Sequence, residues 1–218
     1  MWPLRPCLAL ALAAAFCAAT GPAPRAKEPV RDLVKAAAPR SSVKEKDGAS
    51  LAWAARWQTW IPVIYNPGYR QIPYPNGDVP WYFGVCTDVL VRAYRWFGVD
   101  LQVEVHRAGV GSGDTNIDHR RVEVLRAFFA RAGRSLPISD DPADYEAGDI
   151  VSYYVPTGRF SKTHIAIVSD RKATGGVPLI IHNRGFGVME ENRLFAEKIT
   201  GHYRYWPRQR TGSASAGD

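Results

Sequence analysis

The chain has 218 residues, of which 46% are apolar, and a formal net charge of +7. This length and composition exclude a wholly disordered polymer and allow one domain with its own core. The positive charge suits an anionic neighbourhood such as a bacterial cell wall or a membrane surface.

Residues 1–20 have the pattern of a secretory signal peptide. Arg5 is their only charge, and the apolar run from Cys7 to Ala19 ends in small residues. No later stretch is long enough to span a bilayer, so we expect no transmembrane segment after signal removal and a periplasmic or secreted location. Export and the lack of an aromatic-basic recognition motif argue against a nucleic-acid partner.

The remaining chain divides into three predicted parts. Residues 21–50 are rich in Ala, Pro, Lys, Arg and Ser, which predicts a flexible tether. Residues 51–207 are expected to form a single domain, and residues 208–218 a disordered tail. The domain opens with an amphipathic helix from Leu51 that ends before Pro62, followed by an ordered loop over residues 64–80.

A helix with a cysteine in its first turn is predicted over residues 84–98. Its inward face has helical spacing and consists of Cys86, Val89, Leu90, Ala93 and Phe97. A helix start favours an anion and lowers the pKa of a thiol there, which makes Cys86 a candidate nucleophile. The alternative is that Cys86 is a small packed hydrophobe. Signal removal would leave it as the only thiol, unable to form an internal disulfide.

Residues 101–133 contain one ambiguous element and one clear helix. Residues 101–105 fit a strand or a helix extension. Residues 116–133 are predicted to be a helix, with Asp118 as its N-cap and Gly133 as its stop.

The period changes from helical to extended at residue 148. Four strands are predicted, over residues 148–155, 163–169, 177–183 and 198–205. Helices followed by a contiguous set of strands indicate an α+β domain with an antiparallel sheet.

Two histidines are predicted to meet on this sheet. If the turn after residue 169 is symmetric about Ala173, His164 lies directly opposite His182, with Cβ atoms roughly 5 Å apart. The Cys86 helix is the natural element to cover that face. A thiol, an imidazole and a second polar residue that orients the imidazole can generate and use a thiolate.

Other roles for these residues stay open. Each histidine alone is more often structural, and Cys86, His164 and His182 have ligand types suited to zinc. However, the tight spacings of known zinc motifs are missing, so we expect neither a metal nor a cofactor.

Six motifs then resemble a known family of exported bacterial proteins, the domain of unknown function numbered 1287, over residues 50–206. They are Gly84-Val-Cys-Thr-Asp-Val, Asn116-Ile-Asp-His-Arg-Arg-Val, Gly148-Asp-Ile-Val, Thr163-His-Ile-Ala-Ile-Val, Ile181-His-Asn and Ile199-Thr-Gly-His-Tyr-Arg. More distantly, the order of the Cys helix, the Gly-Asp-Ile-Val strand, the His164 strand and the Ile-His strand is similar to the NlpC-type cell-wall cysteine peptidases, which are papain-like.

That distant resemblance implies a papain-like fold and specific roles. Cys86 would be the nucleophile, His164 the general base and His182 the orienting residue, with Asn183 as the alternative third residue. NlpC-type enzymes usually place Asp before the cysteine and Ser-Gly after it, whereas this chain has Val85 before and Thr87-Asp88 after. The resulting hypothesis is an exported cysteine hydrolase that cleaves an amide, with peptidoglycan or another amide-containing component of the cell envelope as its expected substrate. The alternative is a non-catalytic wall-binding or scaffold domain.

Overall fold

The computed structural model describes residues 48–206. The predicted signal peptide (residues 1–20) and tail (residues 208–218) lie outside this range. The predicted tether also lies outside it, except for residues 48–50, which already belong to the first helix.

Within residues 48–206, four α-helices precede the main part of the sheet. They are α1 (Gly48–Trp57), α2 (Cys86–Trp96), α3 (Leu101–Ala108) and α4 (Val122–Ala132). The ambiguous residues 101–105 are therefore helical. None of the helices within residues 48–206 is both long enough and apolar enough to cross a membrane.

The helix predicted over residues 116–133 is shorter than expected. Asp118–Arg120 forms a 3-10 turn, and Arg121 is extended, so α4 begins only at Val122. Asp118 does not cap a helix, because its carboxylate accepts hydrogen bonds from the Ser112 hydroxyl and the Gly113 N–H. The N-cap prediction for Asp118 is therefore wrong.

Six strands form one antiparallel sheet in the order β3-β8-β4-β5-β6-β7. The strands are β3 (Arg134–Ser135), β4 (Ile150–Tyr154), β5 (Thr163–Lys172), β6 (Pro178–Asn183), β7 (Val188–Glu191) and β8 (Lys198–Arg204). A separate parallel pair joins β1 (Ile64–Tyr65) to β2 (Phe83–Gly84). The predicted α+β class with an antiparallel sheet is confirmed, although β3 and β7 were not predicted.

The helices cover one face of this sheet. Ile165, Ile167 and Ile181 share a buried cluster with Cys86 and residues of α1 and α2. Val151, Tyr153, Ala166, Val168 and Ile180, which alternate with sheet residues of the first cluster, form a second cluster on the other face. Burial on both faces explains why the strand sequences are apolar throughout.

The histidines lie on the face that the helices do not cover. His164 pairs directly across from Tyr153 of the second cluster, and His182 follows Ile181 of the first. The expectation that the Cys86 helix packs on the histidine face is therefore wrong. Successive residues of a strand point to opposite faces, and the Cys86 helix packs on the face formed by the neighbours of the histidines.

The register prediction for the histidines is also wrong, by two residues. Ile167 pairs with Ile181, and an irregularity follows between Val168 and Lys172, so the β5–β6 hairpin is not symmetric about Ala173. A shift of two positions leaves His164 and His182 on the same face, whereas a shift of one would have separated them.

A buried ion pair closes the start of α2. Asp88 Oδ2 accepts the Val85 N–H at 2.7 Å, and the same carboxylate accepts two hydrogen bonds from the Arg120 guanidinium at 2.9 and 3.0 Å. The side chains of Asp88 and Arg120 are only 3% and 2% exposed. The pair therefore joins the helix start to the 3-10 turn before α4.

We predict that Asp88→Ala lowers the free energy of unfolding by about 3–5 kcal/mol, because it leaves the buried Arg120 charge without a partner. Urea denaturation measures the change. Glu104→Ala is the matched control, since it removes a half-buried carboxylate paired to the exposed Arg107 and should cost about 1 kcal/mol or less. A loss for Asp88→Ala no larger than that of the control would contradict the prediction.

Candidate active site

Cys86 lies in the first turn of α2 and is 4% exposed. Burial raises the pKa of its thiol to about 12, opposed by hydrogen bonds from the backbone N–H groups of Ile165, Thr87 and Cys86 itself. The Asp88 carboxylate adds to the increase. The expectation that the helix start lowers this pKa is therefore wrong: desolvation outweighs the N–H groups, and the resting thiol is protonated at neutral pH.

The Tyr65 hydroxyl hydrogen-bonds to the Cys86 sulfur. Burial raises the pKa of Tyr65, and a Cys86 thiolate and this hydrogen bond raise it further, so the phenol stays protonated and donates. The sequence pattern places Tyr65 only at the start of the ordered loop predicted over residues 64–80.

His164 and His182 form a hydrogen-bonded chain with a carboxylate. His164 Nε2 and His182 Nδ1 are 2.8 Å apart, and His182 Nε2 is 2.9 Å from Glu191 Oε2. The predicted meeting of the two rings is thus confirmed. Glu191 comes from β7, a four-residue strand that the sequence pattern did not predict.

This chain assigns the tautomer of each ring. The carboxylate of Glu191 accepts, so His182 Nε2 carries a proton and its Nδ1 is left as the acceptor. His164 therefore donates from Nε2, and its Nδ1 keeps a free lone pair. His164 Nδ1 is the nitrogen that can act as a base.

Both rings are held neutral. Burial lowers the pKa of His164 well below its usual range, and His182, Arg184 and Arg193 add repulsion. Burial also lowers the pKa of His182, and the Glu191 hydrogen bond opposes that shift.

Two cavities meet at this site. One is lined by His164, His182 and Glu191, and the other by Cys86. Tyr65 and Phe160 line both cavities, and their rings stack with centroids 4.5 Å apart. The stacked pair therefore lies where the two cavities meet.

The predicted residues are not all in contact. Within residues 48–206, no hydrogen bond joins the Cys86 thiol to a histidine ring. The thiol and the His164 ring are connected through the backbone. The Ile165 N–H donates a hydrogen bond to the Cys86 sulfur, and Ile165 directly follows His164.

Asn183, the alternative third residue, lies at the start of the Cys86 helix and not in the histidine chain. Its Nδ2 is 3.5 Å from the Gly84 carbonyl oxygen, and its Oδ1 accepts the Gly185 N–H at 3.0 Å. It therefore has a positioning role on the helix side of the sheet.

Among the described residues, no group of three or more His, Cys, Asp or Glu side chains is arranged to hold a metal ion. Cys86, His164 and His182 in particular do not converge on one point, since the thiol and the rings line different cavities.

Comparisons with known proteins place the chain in a sequence family. The model described as "Domain of unknown function (DUF1287)" matches residues 52–205. The "Uncharacterized protein YijF" of Escherichia coli strain K12 is 43% identical over 188 residues, which cover 80% of this chain and 90% of that protein.

Two solved structures from Trichomonas vaginalis are also similar. NlpC2 has 16% identity and a TM-score of 0.42, and NlpC1 has 15% identity and a TM-score of 0.43. The matches cover 77% and 78% of this chain and 49% of each of those chains, so this chain spans about half of their length.

We predict that acidification destabilises the protein through its buried histidines. Burial lowers the pKa of His119 to about 4 and also lowers those of His164 and His182. Below the ordinary value of about 6.5 the unfolded chain binds more protons, so stability falls from about pH 6.5 toward pH 4.

Urea denaturation at about pH 7.5 and about pH 5 tests this, and we expect a loss of at least about 1 kcal/mol. His119→Gln should reduce the difference between the two pH values. Equal free energies of unfolding at both would show that these rings are not held neutral.

We predict that Glu191→Gln inverts the histidine chain. A glutamine amide can donate to His182 Nε2, so the His182 proton moves to its own Nδ1. His182 Nδ1 then donates to His164 Nε2, which leaves the His164 proton on Nδ1 and removes the free base. Nitrogen-15 NMR of the rings measures the tautomers. If the enzyme hypothesis holds, turnover should fall about 10²–10⁴-fold. A proton on His164 Nδ1 in the natural protein would contradict the assignment.

Proposed function

The chain belongs to the DUF1287 family, and we propose that it is an exported cysteine hydrolase that cleaves an amide bond. The observation that carries this proposal is the chain Glu191–His182–His164, which leaves one unprotonated imidazole nitrogen in a cavity adjoining that of Cys86. A base steadied by a carboxylate and a protonated thiol, in adjoining cavities that one substrate could bridge, are the groups that nucleophilic catalysis uses.

The reaction follows from the protonation states. The Cys86 sulfur attacks the substrate carbonyl carbon while its proton passes to His164 Nδ1. The new positive charge on His164 is stabilised through His182 by Glu191. Collapse of the tetrahedral intermediate breaks the C–N bond, and the imidazolium returns its proton to the leaving amine. The same base then takes a proton from water, which attacks the thioester. The acid is released, and the proton returns to the Cys86 sulfur.

Donors beside the sulfur support stabilisation of the oxyanion. The Thr87 and Ile165 N–H groups and the Tyr65 hydroxyl all surround the thiol. Fixed donors of this kind stabilise charge that develops in the transition state. Tyr65 and Phe160 line both cavities, so a substrate that bridges the thiol and the base would contact this stacked pair.

The proposed substrate is peptidoglycan in the periplasm or outside the cell. The predicted signal peptide supports export, and the net charge of +7 suits an anionic envelope. The stem peptides of peptidoglycan supply amide bonds in that compartment.

A non-catalytic wall-binding or scaffold domain is the second candidate. The raised pKa of Cys86 favours this candidate, as does the lack of a hydrogen bond from its thiol to His164 or His182 in the described part of the chain. Such a domain would keep the two cavities and bind the wall without turnover.

Incubation with purified sacculi, followed by mass spectrometry of released fragments, tests the proposal. We expect peptide fragments from the natural protein, none from Cys86→Ala, and unchanged release from Thr174→Ala in the exposed β5–β6 turn. Equal release by Cys86→Ala would overturn the proposal. Sedimentation with sacculi without release by any variant would instead support the scaffold.

A further inference from the structure

The cavity that contains the histidines is also lined by three arginines from separate segments. Arg159 lies in the β4–β5 loop (residues 155–162), Arg184 follows β6, and Arg193 follows β7. The cavity has a volume of ≈ 350 Å³, at the small end of the range of small-molecule sites. Cationic side chains therefore converge on the cavity from three places in the fold.

Two of these guanidinium groups are held in place by one carboxylate. Arg184 Nη1 and Arg193 Nη2 donate to the same Glu197 oxygen at 2.5 and 2.8 Å. Each guanidinium has five N–H groups, so these bonds orient it without using all its donors.

The third guanidinium is available for a ligand. Arg159 lies over the Phe160 ring at 5.4 Å and makes no ion pair within residues 48–206. Three guanidinium groups face two carboxylates, Glu191 and Glu197, and the rings of His164 and His182 are neutral. These groups together carry a net charge of +1, and the further carboxylate of Glu123 lies at the Thr163 end of the cavity, where it accepts the Thr163 hydroxyl.

We infer that this cavity binds a carboxylate of an acidic peptide, so that the amide presented to Cys86 lies next to an acidic residue. This inference rests on the proposed function and names its substrate class. A planar guanidinium matches a carboxylate with two parallel hydrogen bonds, and a neutral amide offers no charge to compensate it.

The bound carboxylate also prepares the base. The charges of Arg184 and Arg193 lower the pKa of His164 in the free protein. An anion between them offsets that repulsion, so His164 becomes a better proton acceptor when an acidic substrate is in place. Recognition of the substrate and activation of the base are thereby coupled.

Calorimetry on Cys86→Ala protein, in which the candidate nucleophile is absent, tests the inference. The probes are capped Glu-Ala and Gln-Ala dipeptides, with either chirality at the first residue, so the side-chain carboxylate is the only charge. We expect at least about tenfold tighter binding of a Glu peptide than of its Gln counterpart, about the value of one charged hydrogen bond. Equal affinities, or no binding of either, would overturn the inference.

Variants in the same background locate the site. Arg159→Gln and Arg184→Gln should each remove most of the preference for glutamate, and Arg184→Lys should restore part of it. Arg107→Gln, on the exposed side of α3, is the matched control and should change nothing. Equal loss in Arg107→Gln would mean that the charge effect is nonspecific, which also overturns the inference. Thermal unfolding of each variant checks that it is folded.

The two proposals fail separately. Charge-dependent binding without any release of fragments from sacculi would leave the anion site standing and remove the hydrolase. Release of fragments without a glutamate preference would leave the hydrolase standing and remove the anion site.

Discussion

The buried pair of Asp88 and Arg120 fixes the position of the candidate nucleophile. Asp88 holds the backbone N–H that enters α2, and Arg120 also reaches the Asn66 carbonyl oxygen, one residue beyond Tyr65. One carboxylate thus ties together the helix start, the segment before α4 and the strand that carries Tyr65. Because both charges are desolvated, neither can leave the other without a large energetic penalty.

The same burial that fixes the site also keeps its titratable groups uncharged at rest. The thiol of Cys86 and the imidazole of His164 are both shifted toward their neutral forms, because each would be a poorly solvated ion. A resting ion pair is therefore disfavoured, and proton transfer has to coincide with the arrival of a ligand. The stacked rings of Tyr65 and Phe160, shared by the two cavities, are the contact that such a ligand would rearrange.

Local patterns predicted the elements better than their relations. Helical spacing located α2 and alternation located the four long strands, since each depends on neighbours within a few residues. Asp118 was misassigned because an aspartate before an apolar run resembles an N-cap, whereas its carboxylate binds the preceding loop. The pattern does not predict the short β7, which carries Glu191, because four residues show too little periodicity.

The sequence by itself determined the α+β class, the start of the Cys86 helix and the shared face of His164 and His182. These properties follow from periods of 3.6 and 2 and from turn residues. Only the tertiary structure decided which face the helices cover, how far the β5–β6 register shifts and which carboxylate orients the rings. The physical reason is that both faces of the sheet are apolar, so alternation does not distinguish them, and contacts between distant segments depend on packing and on irregularities in the hairpin.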